Sequence, residues 1–135
     1  MAAQRGDWDR CMARWRGMLA DKSVRQGGCL IWEGGKEDRS RGRDGSLFYG
    51  FVKIKIPMND RIMKIRVHRL SFFLHNSQTH DLFDIDQVSH LCHNSLCIDP
   101  NHLSREPAAT NNQRKSCNSN QNCTGHEPYP RCIFH

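Results

Sequence analysis

Between residues 90 and 132 the chain concentrates residue types that hold metals or move protons. The string HLCHNSLCIDPNH at 90–102 contains Cys92-x4-Cys97-x4-His102, two thiolates and an imidazole at loop spacing. Such a trio suits tetrahedral zinc but lacks a fourth ligand. Cys29 is the natural donor from upstream. His93 is the local competitor, although its adjacency to Cys92 makes joint coordination awkward. A second set lies downstream, Cys117-x5-Cys123-x2-His126-x5-Cys132, with four soft or borderline ligands in a stretch that has little else to fold around. His135 competes with His126 there, through Cys132-x2-His135. Disulfide pairing is the competing reading of this tail. It is disfavoured because no charged region leading into an apolar signal segment opens the chain.

His90 stands apart from both sets. Two residues before Cys92, it would strain the loop if it bound the same ion. A lone histidine at a strand end is most simply a satisfied core residue. Here the next loop is pinned by metal, and a helix then returns with Asn111 and Asn112. A strand–loop–strand–helix finger would set His90 opposite an asparagine. An imidazole titrating near neutrality can deprotonate water. An amide oxygen is a hard ligand that suits Mg2+. One base and one metal suffice for phosphodiester hydrolysis.

The remaining chain must position that finger. Trp8, Cys11, Met12, Trp15, Met18 and Leu19 form one stripe of a helix over 7–22, with Asp7 as its cap and Gly27-Gly28 beyond its end. Cys11 lies on the stripe and reads as a packed thiol. Residues 29–32 read as a short strand. The segment 36–46, KEDRSRGRDGS, reads as a loop whose Arg39, Arg41 and Arg43 could order on phosphates. Alternation over 47–56 puts Phe48, Val52, Ile54 and Ile56 on one face and Lys53 and Lys55 on the other. A strand at 61–67 turns Met63, Ile65 and Val67 inward, with Lys64 and Arg66 outward. Pro57 opens the turn between these strands. Paired strands with a basic face can enter a DNA major groove. A helix over 68–75, a strand at 85–90, a helix from Pro107 to 115 and a tail at 116–135 complete the chain.

The expected class is α+β: a small antiparallel sheet with flanking helices and a ββα-metal finger, stapled by two structural zinc sites. One domain, 1–135, is expected. Within it lie an N-terminal helical segment (1–28), a DNA-binding sheet and helix (29–75), the finger (85–115) and the stapled tail (116–135). With 37% hydrophobic residues and a mean hydropathy of −0.74, the core is thin, which favours metal staples. The formal charge of +6 would fall to about +4 with two Cys3His zinc sites, still fit for a polyanion. No apolar run reaches membrane length. An intracellular setting is expected, the nucleus in a eukaryote and the cytoplasm otherwise.

The run SHLCHNSLCIDPNHL, the asparagine at 111 and the trailing cluster resemble the His–Cys box homing endonucleases of the ββα-metal, or His-Me finger, superfamily. The pieces Cys29-Leu-Ile-Trp-Glu-Gly, Tyr49-Gly-Phe and Val67-His-Arg-Leu are similar to that family's too, so the likeness runs over about 29–132. It implies that His90 is the general base and Asn111 the ligand of one catalytic Mg2+. It implies one structural zinc at Cys29, Cys92, Cys97 and His102 and another at Cys117, Cys123, His126 and Cys132. A basic residue from the outward face, Lys53, Lys64 or Arg66, would brace the scissile phosphate. The implied partner is double-stranded DNA, read by the sheet.

In the homing enzymes a tail beyond the second zinc site swaps between protomers. Here three residues come after Cys132, so a homodimer would not form by that route. The leading expectation is a Mg2+-dependent DNA endonuclease. The alternative is a catalytically inactive, zinc-stapled DNA-binding module, and a zinc-bearing protein-interaction domain is a third reading.

Overall fold

The computed structural model describes residues 5–38, 48–57, 61–76, 82 and 86–134. Arg39, Arg41, Arg43 and His135 lie outside them, as do Ile85 and most of the turn after Pro57. The first helix, α1 (Arg5–Asp21), presents the expected stripe: Trp15 and Leu19 are buried, and Trp8, Cys11, Met12 and Met18 pack against the core. Asp7 is not its cap. It lies within the first turn and pairs with Arg10.

Gly27 and Gly28 do more than lie beyond a helix. They take φ values of 59° and 85° and turn β1 (Ser23–Gln26) back on β2 (Cys29–Trp32). A two-residue turn of type I′ needs both central residues at positive φ, which glycine adopts without steric cost. The sequence reading missed β1 because its four residues are mostly exposed and show no apolar alternation.

Next comes a three-stranded antiparallel sheet of β3 (Lys36–Asp38), β4 (Phe48–Lys55) and β5 (Ile62–Arg66), in that spatial order. β3 corrects the expectation of a loop at 36–38: charged residues form an edge strand where the neighbour supplies the backbone partners. The β4–β5 register pairs Lys53 with Lys64 and Phe51 with Arg66, so these four share one face. Ile54 and Ile65 are buried on the other. Phe48, expected inward, is exposed, because its face at that end is closed by Trp32 instead. Trp32 is 1% exposed and packs closely against Gly34 and Gly50; an added Cβ would sit 2.2 Å and 2.4 Å from its ring.

The next helix, α2 (Val67–His75), buries Leu70, Phe73 and Leu74 and meets α1 where Trp8 sits 6.3 Å from Phe73. Its polar side chains grip the second half of the chain. His68 Nε2 bonds the Val88 carbonyl (3.0 Å), Arg69 bonds those of Leu82 and Asp86, and the Ser71 hydroxyl bonds that of Ile98. On this platform sits a finger: β6 (Gln87–His90), a loop ending in one 3-10 turn, antiparallel β7 (Leu103–Glu106) and α3 (Ala108–Asn120). Pro107 is the residue just before α3, where its missing N–H costs nothing. The helix runs past the expected 115 to Asn120 and closes at Gln121, which is left-handed with φ 53°. No described helix is long and apolar enough to cross a membrane.

Candidate active site and metal centres

β2 brings Cys29 to the finger loop by backbone pairing. Trp32 N–H donates to Leu96 (2.9 Å), Ile98 N–H donates to Leu30 (2.7 Å), and Ile31 bridges Cys97. Cys29, Cys92, Cys97 and His102 thereby converge, with one ligand atom from each lying within 4.8 Å of the others. Cys29 Sγ and Cys97 Sγ stand 3.7 and 3.5 Å from His102 Nδ1. Zinc–sulfur and zinc–nitrogen bonds of roughly 2.3 and 2.0 Å at a tetrahedral angle require an S···N edge of about 3.5 Å. The cluster therefore has the size of a zinc site. Asp99 stands 4.0 Å from the other ring nitrogen of His102, and Arg25 engages the same carboxylate.

Cys117 leaves α3 toward Cys123, His126 and Cys132, again within 4.8 Å of one another. His126 Nε2 lies 3.3 Å from Cys117 Sγ and 3.6 Å from Cys132 Sγ. Its Nδ1 faces Gln113 Oε1 at 3.3 Å, the kind of outer contact that fixes the tautomer of a ligating histidine. The tail is stitched back to the finger by Ile133 N–H donating to Leu91 (2.7 Å). His93 is in neither cluster. It takes a φ of 61° and stacks on Phe134.

Between these staples a cavity of about 180 Å3 is lined by Tyr49, Arg66, His68, Gln87, Ser89, His90 and Asn111, among others. A wider cleft of about 410 Å3 adjoins it. Tyr49, His90 and Asn111 border both, and Lys115 and Asn118 line the far side. The Cys97 backbone hydrogen-bonds the His90 ring, and His90 Nε2 is buried with no partner among the described residues. Burial pulls this imidazole down to about 4. The Cys97 bond opposes that shift, and the charge of Arg66 adds to it. His68 packs against it with ring centroids 4.2 Å apart and is also held well below its usual value, by burial first and by His90 second. The guanidinium of Arg66 rests 4.7 Å above the Tyr49 ring.

Asn111, on the first turns of α3, accepts from the Ser89 hydroxyl through Oδ1 (2.8 Å) and donates to Gln87 Oε1 through Nδ2. Asn112 is exposed and does not line either space. Of the described basic residues expected to face DNA, Arg66 alone lines the cavity with His90. Lys64 is engaged by Glu37 of β3 and by the ring of Phe51. Lys53 and Lys55 are exposed further along β4. Tyr49, His68, Ser89, Glu106 and Arg114 were not singled out by sequence reasoning. Tyr49 and His68 lie within the fragments Tyr49-Gly-Phe and Val67-His-Arg-Leu; the other three carry no local signal.

Two Cys3His groups around a strand–loop–strand–helix finger define a zinc-stapled α+β protein with a histidine and an asparagine bordering one cleft. The chain belongs to the family described as the zinc-binding loop region of homing endonuclease, whose model matches residues 36–132. Searches of curated proteins and of solved structures returned no significant match.

Proposed function

We propose that the protein is a Mg2+-dependent endonuclease of duplex DNA, with His90 as general base and Asn111 as the protein ligand of the metal. The observation that carries this is the unpartnered Nε2 of His90, beside a cavity it shares with Asn111 and Arg66. A ring held on one side by backbone keeps its other nitrogen to accept from a water admitted to the cavity. Burial holds the ring neutral across the physiological range, the form a general base must start from, and the negative charge of a phosphate in the cavity would raise its basicity.

His90 Nε2 takes a proton from water as the water oxygen bonds to phosphorus. The bond from phosphorus to the 3′ oxygen breaks, and that oxygen leaves with a proton from solvent. The ends are a 5′-phosphate and a 3′-hydroxyl. Arg66 braces the non-bridging phosphate oxygens as charge gathers on them. The donor set suits Mg2+: one amide oxygen, with phosphate and water completing a hard, oxygen-rich shell. Bound there, Mg2+ would supply charge against the phosphate and the leaving oxygen. The basic β4–β5 face, with Lys53, Lys55 and Arg66, supports a groove-facing sheet. Cysteines grouped as two zinc-sized clusters support the proposed intracellular setting.

Supercoiled plasmid incubated with Mg2+ and the zinc-loaded protein tests the reading. Nicked or linear product is expected from the wild type, and at least about 10²-fold less from His90→Ala at equal zinc content. Equal cutting by the two proteins would remove His90 from the mechanism. Duplex binding without any cutting would leave a binding module.

A further inference from the structure

The two ends of the Asn111 amide match in shape and differ in chemistry: the oxygen accepts and the nitrogen donates. Only the oxygen can hold a hard cation. The same heavy-atom positions serve either orientation, so the surrounding hydrogen bonds decide which end goes where. One end meets the buried hydroxyl of Ser89, which is 1% exposed; the other meets exposed Gln87. The Gln87 end is therefore the one open to a metal.

Ser89 has a second neighbour. The β6–β7 register brings its hydroxyl and that of Ser104 to the carboxylate of Glu106, and both act to hold that carboxyl low. Glu106 is fully buried, and Arg114 grips it with Nε to Oε1 at 2.5 Å and Nη2 to Oε2 at 2.8 Å. Ser89 faces Ser104 and Gln87 faces Glu106 in the β6–β7 register, so all four side chains share one face of the hairpin. Burial alone would push the Glu106 carboxyl up; Arg114 and the two serines outweigh it and hold it below the usual range.

A serine has one proton to give. An ionised carboxylate is a much stronger acceptor than a neutral amide. We propose that Glu106 claims the Ser89 proton, so that Ser89 Oγ accepts from Asn111 Nδ2 and the Asn111 oxygen faces the open, Gln87 end. Ser89 and Glu106 are then positioning residues for the metal ligand. As placed in the structure, Oδ1 accepts from Ser89 and Nδ2 donates to Gln87; turning the amide over, which moves no heavy-atom position, frees the oxygen for the metal. Gln87 can turn its own amide over and donate to the Asn111 oxygen, which keeps a lone pair for the cation. This inference rests on Asn111 being the Mg2+ ligand.

The test is Mn2+ titration of the zinc-loaded protein bound to duplex DNA, with free Mn2+ read by electron paramagnetic resonance. Ser89→Ala and Glu106→Gln should each raise the Mn2+ midpoint about tenfold, the scale of outer contacts on metal affinity. In an Asn111→Asp background both ends of the side chain are oxygen and orientation no longer matters. There the same two changes should have almost no effect. Equal shifts in both backgrounds, or no shift beside Asn111, would overturn the proposal. Should Glu106→Gln fail to retain two zinc ions, Ser89→Ala, which removes only a hydroxyl, decides. An Asn111→Ala midpoint equal to that of the wild type would instead sink the assignment of Asn111 as ligand, and the orientation with it.

Discussion

Arg114 reaches from the helix that carries Asn111 to a ligand of the second cluster: its Nη1 lies 3.3 Å from Cys132 Sγ. The same guanidinium holds Glu106 with Nε and Nη2 and donates to the Pro130 carbonyl at 2.8 Å. One buried cation thus ties hairpin, helix and tail together. Replacing it by Ala leaves the Glu106 carboxylate buried and unpaired. The expected loss is about 3–5 kcal/mol in urea unfolding of the zinc-loaded protein. The apolar pair Arg114→Met with Glu106→Leu should lose less. A cost under about 1 kcal/mol for Arg114→Ala would mean that the pair is solvated in solution.

Metal content is a direct check on both clusters. Two zinc ions per chain are expected, with one left after Cys92→Ser or Cys132→Ser. Because each site exists only in the folded chain, its binding energy is folding energy, and chelation should lower the melting temperature sharply. A melting curve indifferent to chelator would refute structural zinc.

Arg66 and the β4 lysines should separate in kinetics. Arg66→Ala is expected to lower kcat for cleavage by about 10²-fold with little change in KM, since its charge acts as the phosphate becomes more negative. Lys53→Ala and Lys55→Ala should instead weaken duplex binding and flatten its salt dependence by roughly one unit of slope each. If Arg66→Ala changed only affinity, Arg66 would belong with the lysines.

Gly50 and Gly17 make a paired test of packing. A methyl on Gly50 would stand 2.4 Å from Trp32 Cδ1, in a ring that has no room to yield. Gly50→Ala should cost about 1–3 kcal/mol and lower the melting temperature by roughly 3–10 °C. Gly17, within α1, has nothing within 4 Å of such a methyl. Gly17→Ala should stabilise by about 0.5–1 kcal/mol, through helix propensity alone. The opposite order in calorimetry would contradict the Trp32 packing.

Much of the fold was legible in periodicity. The stripe of α1, the alternation of β4 and β5 and the short apolar run of α2 turn inward on the side they announce, Phe48 excepted, because regular elements repeat at fixed angles. β1 and β3 were not legible: both are short, largely polar strands, formed because a neighbouring strand offers its backbone. The end of α3 was hidden as well, since Cys117 reads as a tail ligand although it sits on the helix.

The sequence by itself determined the metal chemistry. Cysteine and histidine at loop spacing declare themselves, since few other roles suit them so closely packed, and both ligand sets converge in space. His90 could be singled out as a reactive type beside a stapled loop, whereas the choice of Asn111 over Asn112 came from the family resemblance. Only the tertiary structure decided what surrounds them. Arg66 reaches the cavity and Lys64 does not, because Glu37 arrives on a strand that charge composition concealed. Ser89, Glu106 and Arg114 are ordinary residues in the chain. They become a buried network because strand register and helix docking place them together, and no local pattern encodes that meeting.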